Sequence, residues 1–393
     1  MKQINNTGIE KMIKKDPKFR RELARRSHFW FFHIYLTDYI KYKTASFQKQ
    51  MFSLTQDEKI RAVVITAFRG SAKSTIMSLS YPIWAMIGAQ GKKYIIILSQ
   101  TQQLCKIILT NIKAELENNT LLNADFGPFR ELAIEWNSNT LLINDYNCRI
   151  TTISCNESMR GIRHGHYRPD LIIFDDVEDL ASVKTREGRE KTFKWLTREV
   201  IPAGDINTKI IVVGNMLHED GLMMRLKKAI QDSNFAAKYR SYPLLDESGK
   251  CLWPDKFPTS QSIDDLKSSI ISKAAFQREY MLKIIPEEDA VVLPEWIRYY
   301  DSINEYSEDF RYVAVAVDLA ISEKETAHLT AMVAAKIYHY GQDVKIYILP
   351  YIINKRLTFP QTVEQVKMLS TSINNGYPVR LFIEDVAYLL VLT

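Results

Sequence analysis

The residues best suited to chemistry stand in the segment Ala67-Phe68-Arg69-Gly70-Ser71-Ala72-Lys73-Ser74-Thr75, between a short apolar run and a helical stretch. Lys73 and Ser74 fit the end of the phosphate-loop pattern G-x-x-x-x-G-K-[ST], although alanine occupies both of its glycine positions. Backbone N–H groups of such a loop and of the helix that follows can bind phosphate if they point inward. The segment therefore predicts a phosphate-binding loop formed by Gly70, Ser71, Ala72, Lys73, Ser74 and Thr75.

The side chains of this loop have separate expected roles. Lys73 would neutralise the β- and γ-phosphates, and Ser74, with Thr75 beside it, would place a hydroxyl on Mg²⁺. The alternative is a chance A-K-S-T sequence at the start of a helix. The order strand, loop, helix favours the phosphate loop.

Four acids follow the apolar run Leu171–Phe174: Asp175, Asp176, Glu178 and Asp179. A carboxylate at the end of a buried strand, downstream of a phosphate loop, is where nucleoside triphosphatases hold Mg²⁺ and orient the attacking water. We expect Asp175 to bind the metal and Asp176 to orient the water, with Glu178 as its competitor. A solvated acidic loop is the alternative, but its charges would repel one another, and a divalent cation is the simplest remedy.

Asn215 follows a third apolar run, Lys209–Val213, and Gly214. A polar residue at a strand tip beside the phosphate site could sense the γ-phosphate and relay its hydrolysis to motion. An ordinary turn explains the same residues equally well.

The elements that must position these residues come as short β-branched runs separated by amphipathic stretches such as Gln102–Glu117 and Arg186–Val200. This alternation predicts an α/β fold, a mainly parallel sheet with helices on both faces. We divide the chain into a basic and aromatic helical segment 1–50, an α/β domain 51–285, a linker 286–305 and a second α/β domain 306–393. The second domain ends ten residues after its last expected strand, Val379–Ile383, and we expect it to be incomplete.

Composition narrows the class of protein further. With 393 residues, 46% hydrophobic and 25% charged, the chain is folded and should contain more than one domain. No apolar run approaches the ~18–20 residues that span a bilayer, and Met1–Lys15 is polar and lacks an apolar stretch with a cleavage site. We therefore expect neither a membrane nor a secreted protein. Its four cysteines form no CxxC pair and are expected to be reduced.

The first 50 residues carry 12 Lys/Arg against 4 Asp/Glu and lead into the aromatic run Phe29–Phe32. A basic segment next to an aromatic one suits a polyanion such as DNA. The alternative is a solvated helical face followed by a buried anchor.

Taken together, several segments resemble the large subunit of bacteriophage terminase, the motor that packages viral DNA. The segments that carry the resemblance are R-G-S-A-K-S-T (69–75), Ser158–Asp179, Gly214–Leu222, Leu252–Pro258 and Phe276–Tyr280. The resemblance covers roughly residues 28–388, and its segments are specific jointly rather than singly.

The resemblance implies a phosphate-loop ATPase that translocates double-stranded DNA into a capsid, using ATP and Mg²⁺. It implies Arg69 as a charge-stabilising catalytic residue, together with Lys73 and the pair Asp175 and Asp176, and it places the coupling motif at Gly214-Asn215. The family usually has glutamate where this chain has Asp176, which leaves the water-orienting role open. It also implies a portal protein and a small terminase subunit as partners, a homo-oligomeric ring on the portal, and the cytoplasm of an infected or lysogenic bacterium.

The C-terminal domain of the family resembles ribonuclease H and cuts concatemeric DNA with two divalent ions, Mg²⁺ or Mn²⁺. Its first acid would be Asp318 and its second Glu384, with Asp385 in reserve. A third acid is expected on a later helix, beyond Thr393, so we expect an impaired nuclease. Strand-end charges without function are the alternative.

Two other functions stay open on the sequence. One is a helicase-like or repair DNA-dependent ATPase with an unrelated C-terminal domain. The other is a non-catalytic DNA-binding remnant of a motor, which the alanines at the glycine positions of the loop make conceivable.

Overall fold

The computed structural model describes residues 6–155, 157–159, 161–284, 298–303, 308–319, 329–339, 344–374, 376 and 379–383. The chain divides into two compact units, Met1–Ala290 and Val291–Thr393. Most of the expected linker 286–305 lies outside the described residues.

The first unit is built on an eight-stranded sheet. Its strands are β1 (Ala62–Ala67), β2 (Tyr94–Ser99), β3 (Ala133–Trp136), β4 (Thr140–Ile143), β5 (Cys148–Ser154), β6 (Leu171–Asp175), β7 (Lys209–Gly214) and β8 (Lys238–Tyr242). Their order is β3-β4-β5-β2-β6-β7-β1-β8, and all neighbours from β5 to β8 run parallel. The antiparallel strands β3 and β4 extend one edge.

The central strands are apolar on both faces because both faces are covered. Alternate residues of β1 belong to two different cores: Val63 and Ile65 to one, Ala62 and Val64 to the other. Continuous burial of this kind is typical of parallel strands between two layers of helices. The predicted fold class, a mainly parallel sheet with helices on both faces, is confirmed.

Helices from the N-terminal part of the unit cover most of the first face. They are α1 (Asn6–Lys15), α2 (Pro17–Arg26), α3 (His28–Tyr35), α4 (Ser46–Gln56), a π-helical segment Thr75–Ser80 continued by α5 (Tyr81–Ile87), α6 (Gln102–Asn118) and α7 (Thr120–Phe126).

The second face is covered by α9 (Arg186–Trp195), a π-helical segment Leu196–Val200, α10 (Ile201–Ala203) and α11 (Leu222–Gln231). The short helix α8 (Leu180–Lys184) precedes α9 and contacts it. Two further helices, α12 (Ser260–Ser268) and α13 (Lys273–Glu279), contribute side chains to the core of the first face. No helix in the described part of the chain is long and apolar enough to cross a membrane.

The aromatic run after the basic residues is part of this core. Phe31 and Tyr35 are buried, and the Tyr35 hydroxyl donates to Asp125, which also pairs with Arg20 at 2.6 Å. The imidazole of His28 is fully buried between the hydroxyls of Thr55 and Ser80. The aromatic residues of α3 therefore anchor the N-terminal helices. This agrees with the alternative interpretation of the segment, a solvated helical face followed by a buried anchor.

The described residues of the second unit form a smaller sheet and one helix. Its elements are β9 (Phe310–Asp318), β10 (Thr330–Tyr338), β11 (Lys345–Ile348), β12 (Ile353–Lys355), α14 (Phe359–Ser372) and β13 (Val379–Ile383). The strand order is β11-β10-β9-β13, and β12 pairs with β10. Strands β9 and β10 are antiparallel, whereas β13 runs parallel to β9. Strand β13 coincides with the last expected strand, Val379–Ile383.

Candidate phosphate-binding site

The loop after β1 has the backbone shape for which the phosphate pattern uses glycine. Gly70 has a φ of 76° and Ala72 a φ of 69°, both in the left-handed region. A side chain in this region costs roughly 1–2 kcal/mol. Ala72 therefore adopts a glycine-like conformation although it carries a Cβ, and the alanine does not prevent the loop from forming.

Four consecutive backbone donors at the end of this loop are available for a ligand. The N–H groups of Ala72, Lys73, Ser74 and Thr75 donate to no other described residue, and the first helical bond runs from Ile76 N to Ala72 O at 3.0 Å. Adjacent free N–H groups at the start of a helix attract an anion through their partial charges.

Two distant side chains hold the loop carbonyls. Gln48 Nε2 donates to Ser71 O at 2.9 Å, and Lys256 Nζ donates to Gly70 O at 2.7 Å. Because a trans peptide carries its C=O and N–H on opposite sides, the bond from Gln48 turns the N–H of Ala72 the other way. Neither residue is predicted by the sequence, since nothing in their local spacing links them to the loop.

Lys73 lies at the centre of the polar contacts. Its side chain is 10% exposed, and its ammonium is 3.3 Å from Asp176 Oδ2 and 3.2 Å from Asn215 Oδ1. Strand β7 lies between β1 and β6 in the sheet, so its tip brings Asn215 between the loop and the acids. The structure thus brings together three residues that were singled out in separate segments.

Ser74 and Asp175 form the second contact between the loop and β6. Ser74 Oγ donates to Asp175 Oδ1 at 2.9 Å, and Ser99 Oγ donates to the main-chain oxygen of Asp175 at 3.0 Å. Burial, and then the charge of Asp176, raises the pKa of Asp175 to about 6. A nearby cation would offset both effects.

A hydroxyl and a carboxylate side by side are oxygen ligands of the kind that Mg²⁺ takes. No group of three His, Cys, Asp or Glu side chains able to hold a metal occurs in the described part of the chain. Mg²⁺ usually uses one or two carboxylates, with waters and substrate phosphates completing its octahedron. Ser74 and Asp175 fit such an ion next to a bound phosphate.

Asp176 and Glu178 face different partners. Asp176 is half-buried beside Lys73 and has a φ of 46°, which is uncommon for a residue other than glycine. Glu178 Oε2 accepts from Leu222 N at 2.8 Å, at the start of α11, and its buried Oε1 has no partner among the described residues. Burial raises the pKa of Glu178 to about 7. Asp176 is therefore the acid in contact with the loop lysine.

A small cavity lies beside these two acids at the tip of β7. It is lined by Asp176, Glu178, Gly214, Asn215, Leu222 and Met223, among others. The carboxylates at the end of β6 and the amide at the end of β7 thus share one pocket.

The remaining predicted residues of the loop differ in exposure. The side chain of Arg69 is exposed and pairs with no described carboxylate, while its N–H donates to Glu279 O at 2.8 Å. Thr75 is half-buried in the first helical turn, and Ser71 is buried.

Glu279 is a further residue that the sequence analysis missed. Its Oε2 accepts from Asn215 Nδ2 at 2.7 Å, across 64 positions of sequence. It belongs to Phe276–Tyr280, one of the segments that carry the resemblance, but no spacing rule pairs it with Asn215.

In the second unit, Asp318 is the last residue of β9 and is exposed. Strand β13 ends at Ile383, which pairs with Val317 in parallel register. Glu384 and Asp385, the other two predicted acids, lie outside the described residues.

The fold of the first unit, and the sheet edge where β1, β6 and β7 end, define a class of protein. It is an α/β protein with a phosphate-type loop after one central strand and an acid at the end of another. No family model and no curated protein matches the sequence. Among solved structures, the chain is similar to large terminases of bacteriophages.

The large terminase of a thermophilic bacteriophage shares 11% identity over 84% of this chain and 73% of its own, with a TM-score of 0.37. The large terminase of bacteriophage HK97 shares 12% sequence identity over 87% of this chain and 70% of its own, with a TM-score of 0.45. A mutant ATPase domain of the Thermus phage P74-26 large terminase shares 14% sequence identity over 65% of this chain and 98% of its own, with a TM-score of 0.41. The first of these three proteins has also been solved with ADP and with ATP-γ-S. At these modest scores the similarity alone carries no function to this chain.

Proposed function

We propose that the first unit binds ATP with Mg²⁺ and hydrolyses it. The observation that carries the proposal is one connected group of contacts. Lys73 lies against Asp176 and Asn215, and Ser74 lies against Asp175. The N–H groups of residues 72–75, which donate to no described residue, lie beside them. This is the set of donors and acceptors that phosphoryl transfer to water requires.

Each residue has a defined task in this proposal. The free N–H groups and the ammonium of Lys73 bind the phosphates, and Lys73 exchanges Asp176 and Asn215 for phosphate oxygens. Ser74 and Asp175 would hold a magnesium ion, which when bound neutralises phosphate charge. Asp176, released from Lys73, orients the attacking water.

Two residues act at the periphery of the reacting group. Asn215 senses the γ-phosphate because it loses its contact with Lys73 when the phosphate binds. Arg69 stabilises the charge that develops during transfer. The exposure of Arg69 leaves its guanidinium free to reach a ligand at the mouth of the loop.

We infer that this ATPase is the motor subunit of a phage or prophage terminase and translocates double-stranded DNA into a capsid in the bacterial cytoplasm. The inference rests on the resemblance in sequence, which also implies a portal protein, a small terminase subunit and a ring on the portal. Exposed cations of the first helices, Lys14, Lys15, Lys18, Arg25 and Arg26, suit contact with DNA phosphates. DNA affinity should then fall as salt rises.

The decisive experiment compares DNA-stimulated ATP turnover of the wild type with that of Lys73→Ala. Removing a preorganised charge from a reacting phosphate should lower kcat about 10²–10³-fold. Lys59→Ala, which changes an exposed lysine before β1, is the matched control and should turn over ATP normally. Equal rates in the wild type and Lys73→Ala would refute the ATPase.

For the second unit we propose a ribonuclease-H-like metal site that includes Asp318. Its position at the end of the central strand β9 supports this role. Titration with Mn²⁺ should show at least tenfold weaker binding in Asp318→Asn than in the wild type. Unchanged Mn²⁺ affinity would remove Asp318 from the site.

A further inference from the structure

The amide of Asn215 is held at both ends. Its Oδ1 accepts from Lys73 Nζ at 3.2 Å, and its Nδ2 donates to Glu279 Oε2 at 2.7 Å. A carboxylate accepts hydrogen bonds and an ammonium donates them, so the two neighbours fix which end of the amide faces which. With only one of them, the amide could turn about its last torsion, which is broad and roughly two-fold.

Glu279 is itself tightly placed. Its side chain is 16% exposed, and its Oε1 lies 3.6 Å from Arg278 Nε. Its main-chain oxygen accepts the N–H of Arg69 at 2.8 Å, directly before the loop. One residue at the end of α13 therefore touches the residue before the phosphate loop through its backbone and the tip of β7 through its carboxylate.

We propose that Glu279 is a positioning residue for the ATP site: it orients Asn215 so that the amide oxygen faces Lys73. This role rests on the proposed ATPase function and adds a residue that acts through another, without touching the nucleotide. A phosphate that draws Lys73 away from Asn215 then changes the contact to Glu279. The end of α13 is thereby linked to the occupancy of the loop.

A double-mutant cycle on ATP turnover tests this role. Contacting residues that act together show coupling of about 1.4 kcal/mol, which corresponds to tenfold in rate. We expect Glu279→Ala to lower kcat about tenfold in the wild-type background and by less than twofold in an Asn215→Ala background. Glu279→Gln, which keeps an acceptor for Nδ2, should restore most of the activity.

Further variants keep the result interpretable. Glu279→Asp keeps the charge beside Arg278 but draws the acceptor away from Asn215, so it should lower kcat about as much as Glu279→Ala. It takes the place of Glu279→Ala in the test if that variant does not fold. Glu247→Ala changes an exposed glutamate after β8 and should match the wild type.

The two proposals fail separately. A wild type without ATP turnover would overturn the ATPase, and this role with it. An active wild type in which the effects of Glu279→Ala and Asn215→Ala multiply, or in which Glu279→Gln restores nothing, would overturn the role of Glu279 alone.

Discussion

The hydroxyl of Ser74 donates to Oδ1 of Asp175 at 2.9 Å, although 101 positions separate the two residues. Ser74 follows β1 and Asp175 ends β6, and β7 lies between these strands. Because parallel strands end at the same edge, residues that follow them meet there. This contact makes the loop and the acid a single site.

The contact predicts a specific role for the Ser74 hydroxyl. Ser74→Ala removes one oxygen ligand from the proposed magnesium ion, so the Mg²⁺ concentration for half-maximal ATP turnover should rise at least tenfold. Ser74→Thr keeps the hydroxyl and should restore the wild-type value. Ser53→Ala, on an exposed position of α4, is the control. The same Mg²⁺ dependence in Ser74→Ala and the wild type would contradict the assignment.

The left-handed backbone of Ala72 predicts a stabilising substitution. Ala72→Gly removes the steric cost of a Cβ at a φ of 69° and should raise the free energy of unfolding by about 1 kcal/mol. Ala114→Gly, inside α6, should lower it by about 1 kcal/mol. Urea denaturation measures both. A loss of stability in Ala72→Gly equal to that in Ala114→Gly would show that residue 72 is not left-handed in solution.

The buried carboxyl of Glu178 predicts a pH-dependent stability. Its folded pKa of about 7 lies above the ordinary value of 4.5, so between these values the folded state binds more protons than the unfolded state. Stability contributed by this group is therefore present below pH 4.5 and lost as pH rises through 7. We expect a loss of about 2 kcal/mol, allowing for partial exposure.

Glu178→Gln resembles the protonated carboxyl and should remove this dependence. In urea denaturation, the free energy of unfolding of Glu178→Gln minus that of the wild type should be about 2 kcal/mol larger at pH 8 than at pH 5. Glu219→Gln, an exposed neighbour, should track the wild type. A constant difference between Glu178→Gln and the wild type would argue against a raised pKa.

Removal of the buried cation of Lys209 should lower the free energy of unfolding. Its side chain is buried, and Nζ donates to the carbonyls of Leu54, Thr55 and Asp57, each at 2.8 Å, where α4 ends. Lys209→Met would remove a charged donor from all three carbonyls. Thr55 O would keep Gln90 Nε2 and Asp57 O would keep Ile60 N, but Leu54 O would have no donor among the described residues. The variant should therefore lower the free energy of unfolding by about 2–4 kcal/mol. Lys228→Met, on an exposed position of α11, should change it by less than about 0.5 kcal/mol. Equal effects would contradict this capping role.

The sequence by itself determined the order of the elements and the residues at the ends of the key strands. Continuous apolar runs such as those of β2 and β6 mark strands buried on both faces, and polar residues directly after them mark an edge where chemistry can occur. Loop, acid pair and Asn215 could be named in this way because each follows its own strand.

Only the tertiary structure decided which of these groups touch. Asp176 rather than Glu178 contacts Lys73, and Ala72 adopts the left-handed backbone conformation typical of glycine. Three residues that the local sequence does not link to the loop lie around it: Gln48, Lys256 and Glu279. Local spacing fixes what each strand end carries. The order of strands in the sheet, with β7 between β1 and β6, is set by long-range packing, and that order fixes which ends are neighbours.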